Sequence, residues 1–228
     1  MKIISSLVLI FVGILFLQIG CKPDDDTPSN VVKDFDGNVY HSITIGNQSW
    51  LVENLSVVHY RNGDPVPNVT DGNQWGLLTT GAYCDYGNDA ANVPAYGRLY
   101  NAYAVQDSRN LAPKGWHIAT HAEYQALEEY LGGLTIAGGK MKETGTKHWI
   151  TPNTGATNSS GFIALPGGYR GWSNGIFASL GERGGWWTTT DEASSAVYGR
   201  FLYFDQELSY ITWGYRHVGM SVRCVKDN

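Results

Sequence analysis

The sequence is short of charge. Asp, Glu, Lys and Arg make up 16% of its 228 residues, where a soluble domain carries about a quarter. No basic run occurs anywhere and the net charge is −5. That balance disfavours nucleic acid as a partner, because its binding depends on basic side chains displacing counterions. It equally disfavours adhesion to anionic headgroups through a basic patch. Cysteine is scarce, with three in the chain and no CxxC pair, which leaves no thiolate metal cluster or dithiol redox site. Ala, Leu, Glu, Lys and Arg do not dominate, so a coiled coil or long-helix bundle is disfavoured. No unit recurs at a period of 20–50 residues, against a solenoid or propeller. The longest apolar run, 7–17, is too short to span a bilayer comfortably.

Glycine and aromatics are what the chain has in excess: Gly 28, Tyr 14, Trp 8, and 13% aromatic residues overall. Disorder goes with few aromatics and many charges, so this is a folded chain. Glycine at this density interrupts long helices. Together they point to a turn-rich, aromatic-rich fold of short strands.

Met1-Lys2 followed by the apolar run matches an export signal. At its end, Gln18-Ile19-Gly20-Cys21 sets a cysteine directly after a small residue. This resembles a bacterial lipoprotein signal, although Gln18 stands where leucine is usual. The resemblance implies removal of residues 1–20 and acylation (palmitate among the chains) of Cys21, which becomes the lipid anchor. Each buried methylene of an acyl chain contributes about 0.8 kcal/mol, and stable anchoring takes more than one chain. Residues 21–34 carry Lys22-Pro23-Asp24-Asp25-Asp26 and a second proline at 28, a solvated acidic tether. The Cys-Lys-x-Asp-Asp order resembles the export signal of Bacteroidetes lipoproteins, implying display on the outer face of the outer membrane. With Cys21 acylated, Cys84 and Cys224 remain. They are either one disulfide, which an exported protein permits, or two separate buried thiols.

Residues 35–228 read as a single domain of α+β type. A hairpin is expected over 39–53 around Gly46-Asn47, followed by a loop-rich stretch to Gly97. Two helices are expected. One is a short segment over 99–105. The other covers 120–131, opened by a Thr120/Glu123 capping box, closed by Gly132-Gly133, with Tyr124, Leu127, Tyr130 and Leu131 on one face. Beyond it, antiparallel strands are expected at 185–190, 197–204, 208–213 and 218–225. The period of two puts Trp186 and Trp187 on opposite faces, so at least one is core.

Ordered blocks then carry a resemblance. Ile45-Gly-Asn-Gln-Ser-Trp50-Leu-Val-Glu-Asn-Leu55 and Gly81-Ala-Tyr-Cys84 come first. Gly97-Arg-Leu-Tyr-Asn-Ala-Tyr-Ala-Val105, Leu165-Pro-Gly-Gly-Tyr-Arg170 and Ser221-Val-Arg-Cys-Val225 follow. From about 36 to 227 the chain resembles the Fibrobacter succinogenes major paralogous domain of exported Bacteroidetes proteins, which implies location and fold rather than chemistry. At fold level, 116–124 and 222–225 resemble the strand-cap-helix and last strand of formylglycine-generating enzymes and C-type-lectin-like domains. That implies short twisted antiparallel strands with two helices and long loops. The paired reactive cysteines of those enzymes are missing, since Cys224 stands alone.

No catalytic residue is expected. A nucleophile elbow Gly-x-Ser-x-Gly is missing. The acids Glu182, Asp191, Glu192, Asp205 and Glu207 would have to converge for glycosidase chemistry. His117 and His121 straddle a helix start, one expected packed and one exposed, and no third metal ligand has a recognisable spacing. The loops at Asp71-Gly72-Asn73 and Asn88-Asp89 are rich in oxygen, yet the sugar-binding signatures of calcium-dependent lectins are missing; no cofactor is expected, calcium at another position being the alternative. The most suggestive segment is 165–175. A Trp172 exposed on a glycine-flanked hairpin stacks on a sugar ring or peptide, with Tyr169 beside it and Arg170 and Asn174 donating hydrogen bonds. Against this, Tyr169 and Arg170 are structural and Trp172 covers a neighbouring strand. The expectation is a non-catalytic, surface-displayed lipoprotein that binds a glycan or protein through its loop face. An accessory subunit of an outer-membrane complex is the alternative, and a hydrolase ranks behind both.

Overall fold

The computed structural model describes residues 30–228; the export signal, the Cys21 anchor and most of the tether lie outside them. The folded part begins before residue 35. Strand β1 (Val31–Lys33) pairs antiparallel with β2 (Val39–Ile45), and Asp34 is buried, its carboxylate accepting from the Asn38 amide and the Tyr40 hydroxyl at 2.6 Å. Residues 31–34, expected as the end of the tether, thus belong to the fold, because this carboxylate knits the β1–β2 turn.

The expected hairpin is present: β2 pairs with β3 (Gln48–Leu51) across Gly46-Asn47. Gly46 has φ +61°, and the Tyr130 ring lies 3.0 Å from where a Cβ would stand. The loop-rich stretch holds α1 (Gly72–Gly76), β4 (Tyr83–Cys84) and α2 (Val93–Tyr96). The 99–105 segment is not one helix. It divides into β5 (Leu99–Tyr100), paired with β4, and a single turn α3 (Ala102–Val105) capped by the Asn101 side chain.

After β6 (Trp116–Ile118), helix α4 (His121–Tyr130) starts at Thr120 with both halves of the capping box formed. Tyr124, Leu127 and Leu131 are buried as expected, but Tyr130 is exposed and lies over Gly46 instead. Helix α5 (Leu134–Met141) follows at once. Its Gly138-Gly139 pair, unfavourable to a helix taken alone, here admits the backbone of 207–208 and 155 at close range.

The remaining chain is antiparallel: β7 (Gly167–Arg170) with β8 (Phe177–Leu180), then the sheet of β9 (Arg183–Ala193), β10 (Ala196–Tyr203) and edge strand β11 (Tyr210–Tyr215). The last strand, β12 (Cys224–Lys226), inserts between β3 and β6, giving the order β1-β2-β3-β12-β6. Mixed helix and antiparallel sheet is thus the architecture among the described residues.

Both Trp186 and Trp187 are fully buried, in two different core clusters. Strand β9 is covered on both faces, so its adjacent indoles seal separate cores. Their N–H groups donate to Asn54 Oδ1 at 2.8 Å and to the Tyr100 carbonyl at 2.9 Å. Segment 220–224 is buried at every position rather than on one face, because it threads between sheets. Arg223 there donates to Asn54 Oδ1 and to the carbonyls of Leu51, Phe162 and Ile163, which supplies the partners that a buried guanidinium requires.

Candidate functional site

Aromatic side chains divide sharply. Six of the eight tryptophans are buried, whereas Trp172 is 50% and Trp213 53% exposed. These two line one cleft of about 300 Å³, together with Tyr169, Arg183, Phe201 and Tyr215. The β7–β8 hairpin forms one wall and the β11 edge the other. Tyr215, 40% exposed, stands 4.9 Å from the Trp172 ring and 5.9 Å from that of Trp213. Such offset, tilted ring arrangements are favoured by the aromatic quadrupole.

Phe201 and Tyr169 lie deeper, and over them rests Arg183. Its guanidinium carbon is 4.4 Å from the Tyr169 centroid, 4.8 Å from Phe201 and 5.2 Å from Tyr203. Cation–π attraction holds it among the rings. The cleft thus joins stacking surfaces to one cationic donor group, an arrangement that can hold a ring-faced ligand by stacking and hydrogen bonding.

The expected residues separate on the structure. Tyr169 and Trp172 belong to the cleft. Arg170 does not: it is 1% exposed and donates to the carbonyls of Gly175, Val69 and Thr70 at 2.6–2.9 Å. It also stacks on Trp75 and Phe177. Its role is to clamp the 165–175 hairpin to the loop at 69–70, which corrects its assignment as a ligand donor. Asn174 is exposed but outside the cleft lining, and its Oδ1 accepts from the Ile176 amide within the turn. The alternation Ile211, Trp213, Tyr215, exposed and apolar at every second position of an edge strand, is the signal that could have located the opposite wall. Arg183 carried no sequence signal, since its rings come from β7 and β10.

Cys84 and Cys224 are free, buried thiols in separate core clusters. Of the two alternatives, the structure holds the separate buried thiols rather than the disulfide. Burial pushes the Cys84 thiol up to about 12 and raises that of Cys224 further.

A larger cleft of about 680 Å³ lies between α3, β6 and β9. Several of its charged groups already have partners within the protein. Asp191 accepts from Arg216 at 2.6 Å and Gln106 at 2.9 Å, and His117 sits between Asp227 and Glu123 at 2.7 Å each. His121 is half-buried, its ring 4.3 Å from that of Tyr198. The pair is thus not one packed and one exposed histidine. Among the described residues no group of three or more His, Cys, Asp or Glu could hold a metal ion. The oxygen-rich loops cap local structure, with Asp71 accepting from the Gln74 amide and Asp89 from that of Ala91.

Compared with known proteins, the chain matches the family described as Fibrobacter succinogenes major domain over residues 43–226. No curated protein and no solved structure matches it.

Proposed function

The chain belongs to the Fibrobacter succinogenes major domain family, and from that premise we propose a non-catalytic lipoprotein, anchored through acylated Cys21, that binds glycan in its aromatic cleft. One observation carries the reading. The two tryptophans left exposed in a chain that buries the other six line the same cleft, with the Tyr215 ring 4.9 Å from one and 5.9 Å from the other. Exposed indoles cost solvation unless something covers them, and flat apolar rings flanked by polar donors suit the faces of a sugar.

The finer fold is a C-type-lectin-like variant. A capped helix beside short antiparallel strands, with long loops between them, supports it. Location at the outer face of the outer membrane rests on the leader and the Cys-Lys-x-Asp-Asp order.

The test is a glycan array probed with the full chain, alongside Trp172→Ala and Trp213→Ala. Retained sugars that both variants lose support the reading. No sugar signal, with a stoichiometric protein partner co-purifying from detergent-solubilised membranes, replaces it with an accessory subunit of an outer-membrane complex. For the anchor, Cys21→Ala should move the protein from the membrane to the soluble fraction; retention at the membrane overturns the lipoprotein assignment.

A further inference from the structure

The arginines of this chain differ in how their guanidinium groups are satisfied. Arg61, Arg170 and Arg223 donate to backbone carbonyls. Arg98, Arg109, Arg200 and Arg216 pair with carboxylates. Arg183 does neither. Among the described residues its hydrogen bond is a single one, from Nη2 to the Ser179 hydroxyl at 3.2 Å, and its Nε is buried without a partner.

Three rings account for where this side chain sits but not for its donors. Cation–π attraction draws the planar guanidinium to the rings of Tyr169, Phe201 and Tyr203. The N–H donors lie in that plane, in a fork matched to a carboxylate. The buried Nε lies out of a ligand's reach, but among the described residues Nη1 has no partner either, and it belongs to a residue that lines the cleft. The ring stack thus pre-orients a cation whose preferred partner is missing from the protein itself.

We infer that the aromatic cleft selects acidic sugars, with Arg183 receiving the carboxylate of a uronic-acid residue while Trp172, Trp213 and Tyr215 stack on the ring faces. The inference rests on the glycan-binding reading and adds the charge of the ligand to it. The chain as a whole is acidic, at −5. A local cation is therefore what allows an anionic ligand to approach, and the discrimination weakens as salt screens it.

The experiment is calorimetric titration of the full chain in detergent with tetragalacturonate, with its fully methyl-esterified form, and with a tryptophan-containing peptide bearing a free C-terminal carboxylate. The acid is expected to bind at least about tenfold more tightly than the ester, the scale of a charge-assisted fork. Arg183→Gln should abolish that ratio, and Arg183→Lys, which keeps the charge but not the fork, should restore it only in part. Equal binding of acid and ester overturns the inference and leaves glycan binding standing. Binding of neither sugar overturns both. Binding of the peptide alone replaces the sugar by a protein terminus. Should Arg183→Gln not fold, the acid-to-ester ratio of the parent protein and the Arg183→Lys variant still decide the matter.

Discussion

Arg200 on β10 and Glu128 on α4 form a fully buried ion pair, Nε to Oε1 at 2.7 Å and Nη2 to Oε2 at 3.2 Å. The Ser209 hydroxyl donates to the same Oε1 at 2.6 Å. This pair fastens the helix to the sheet whose edge forms one wall of the cleft. Removing one partner leaves an uncompensated charge in the core, so Glu128→Ala should cost about 3–5 kcal/mol. The double change Glu128→Leu/Arg200→Met removes both charges and should recover most of that loss, because the desolvation penalty goes with them. Urea denaturation of the single and double variants measures this. A single variant within about 1 kcal/mol of the parent would show that the pair adds little to stability.

The cleft tryptophans should behave oppositely. Trp172 and Trp213 are half exposed, so truncating either to alanine should alter stability by less than about 1 kcal/mol. Sugar affinity should fall several-fold or more, the scale of a stacking anchor lost from a binding surface. Trp187→Ala provides the contrast. That side chain is fully buried, and its loss should cost about 3–5 kcal/mol. Paired melting and binding measurements separate the two classes. Equal stability losses in all three variants would place Trp172 and Trp213 in the core.

Much of the fold was legible because it is written locally. The Thr120/Glu123 capping box formed as read, and Gly46-Asn47 turned the hairpin. What was not legible depends on long-range packing. Helix α5 contains Gly138 and Gly139, which disfavour a helix taken alone and become required once 207–208 and 155 press against it. Arg170 resembled a surface donor because its acceptors, Val69 and Thr70, lie a hundred residues away in sequence. Half of the cleft was visible in Trp172 and Tyr169. The other half needed the β11 edge placed beside the 165–175 hairpin.

The thiols offer a direct count. Burial holds both Cys84 and Cys224 in the protonated form, and only the thiolate is nucleophilic. A Cys21→Ala chain should not react with a disulfide reagent in native buffer. Unfolding without reductant should release two thiols, the free cysteines of the fold. Release of none would establish the disulfide instead.

His117 should give the stability curve a slope near neutrality. Partial burial lowers its pKa, but hydrogen bonds to Asp227 and Glu123 outweigh that and raise it above the usual 6.5. The charged ring is thus favoured in the folded state. Its contribution is fully present below the unfolded value and fades as pH rises through the raised folded value. The melting temperature should therefore fall from pH 6.5 upward, relative to His117→Gln, in which this part of the slope disappears. Parallel melting curves for parent and variant across that window would remove His117 as the source.

Gly138 sets two effects against each other. In an exposed helix interior, Gly→Ala gains about 1 kcal/mol of helix propensity. A Cβ at Gly138, however, would stand 2.3 Å from the Leu208 carbonyl oxygen, and one at Gly139 2.4 Å from that of Gly155. These neighbours are backbone, and Gly139 donates its own amide to the Glu207 carbonyl at 2.9 Å. Relief would thus require moving α5 away from the 205–209 segment. That segment also receives the buried Lys142 ammonium, which donates to the Gln206 carbonyl at 2.7 Å and to those of Thr154 and Tyr203. Overpacking of this kind costs about 1–3 kcal/mol, and separating the ammonium from its acceptors adds to it. Gly138→Ala should therefore destabilise the protein despite its better helix propensity, whereas Gly133→Ala should escape the contact penalty because nothing lies within 4 Å of its Cβ position. Gly133 has φ +96° and ψ 165°, a region essentially reserved to glycine, so its cost is backbone strain of about 1–3 kcal/mol. Denaturant midpoints for Gly138→Ala and Gly138→Ser distinguish the two effects. The larger side chain should be the worse, and a stabilised Gly138→Ala would mean that α5 does not pack on 207–208 as closely as described.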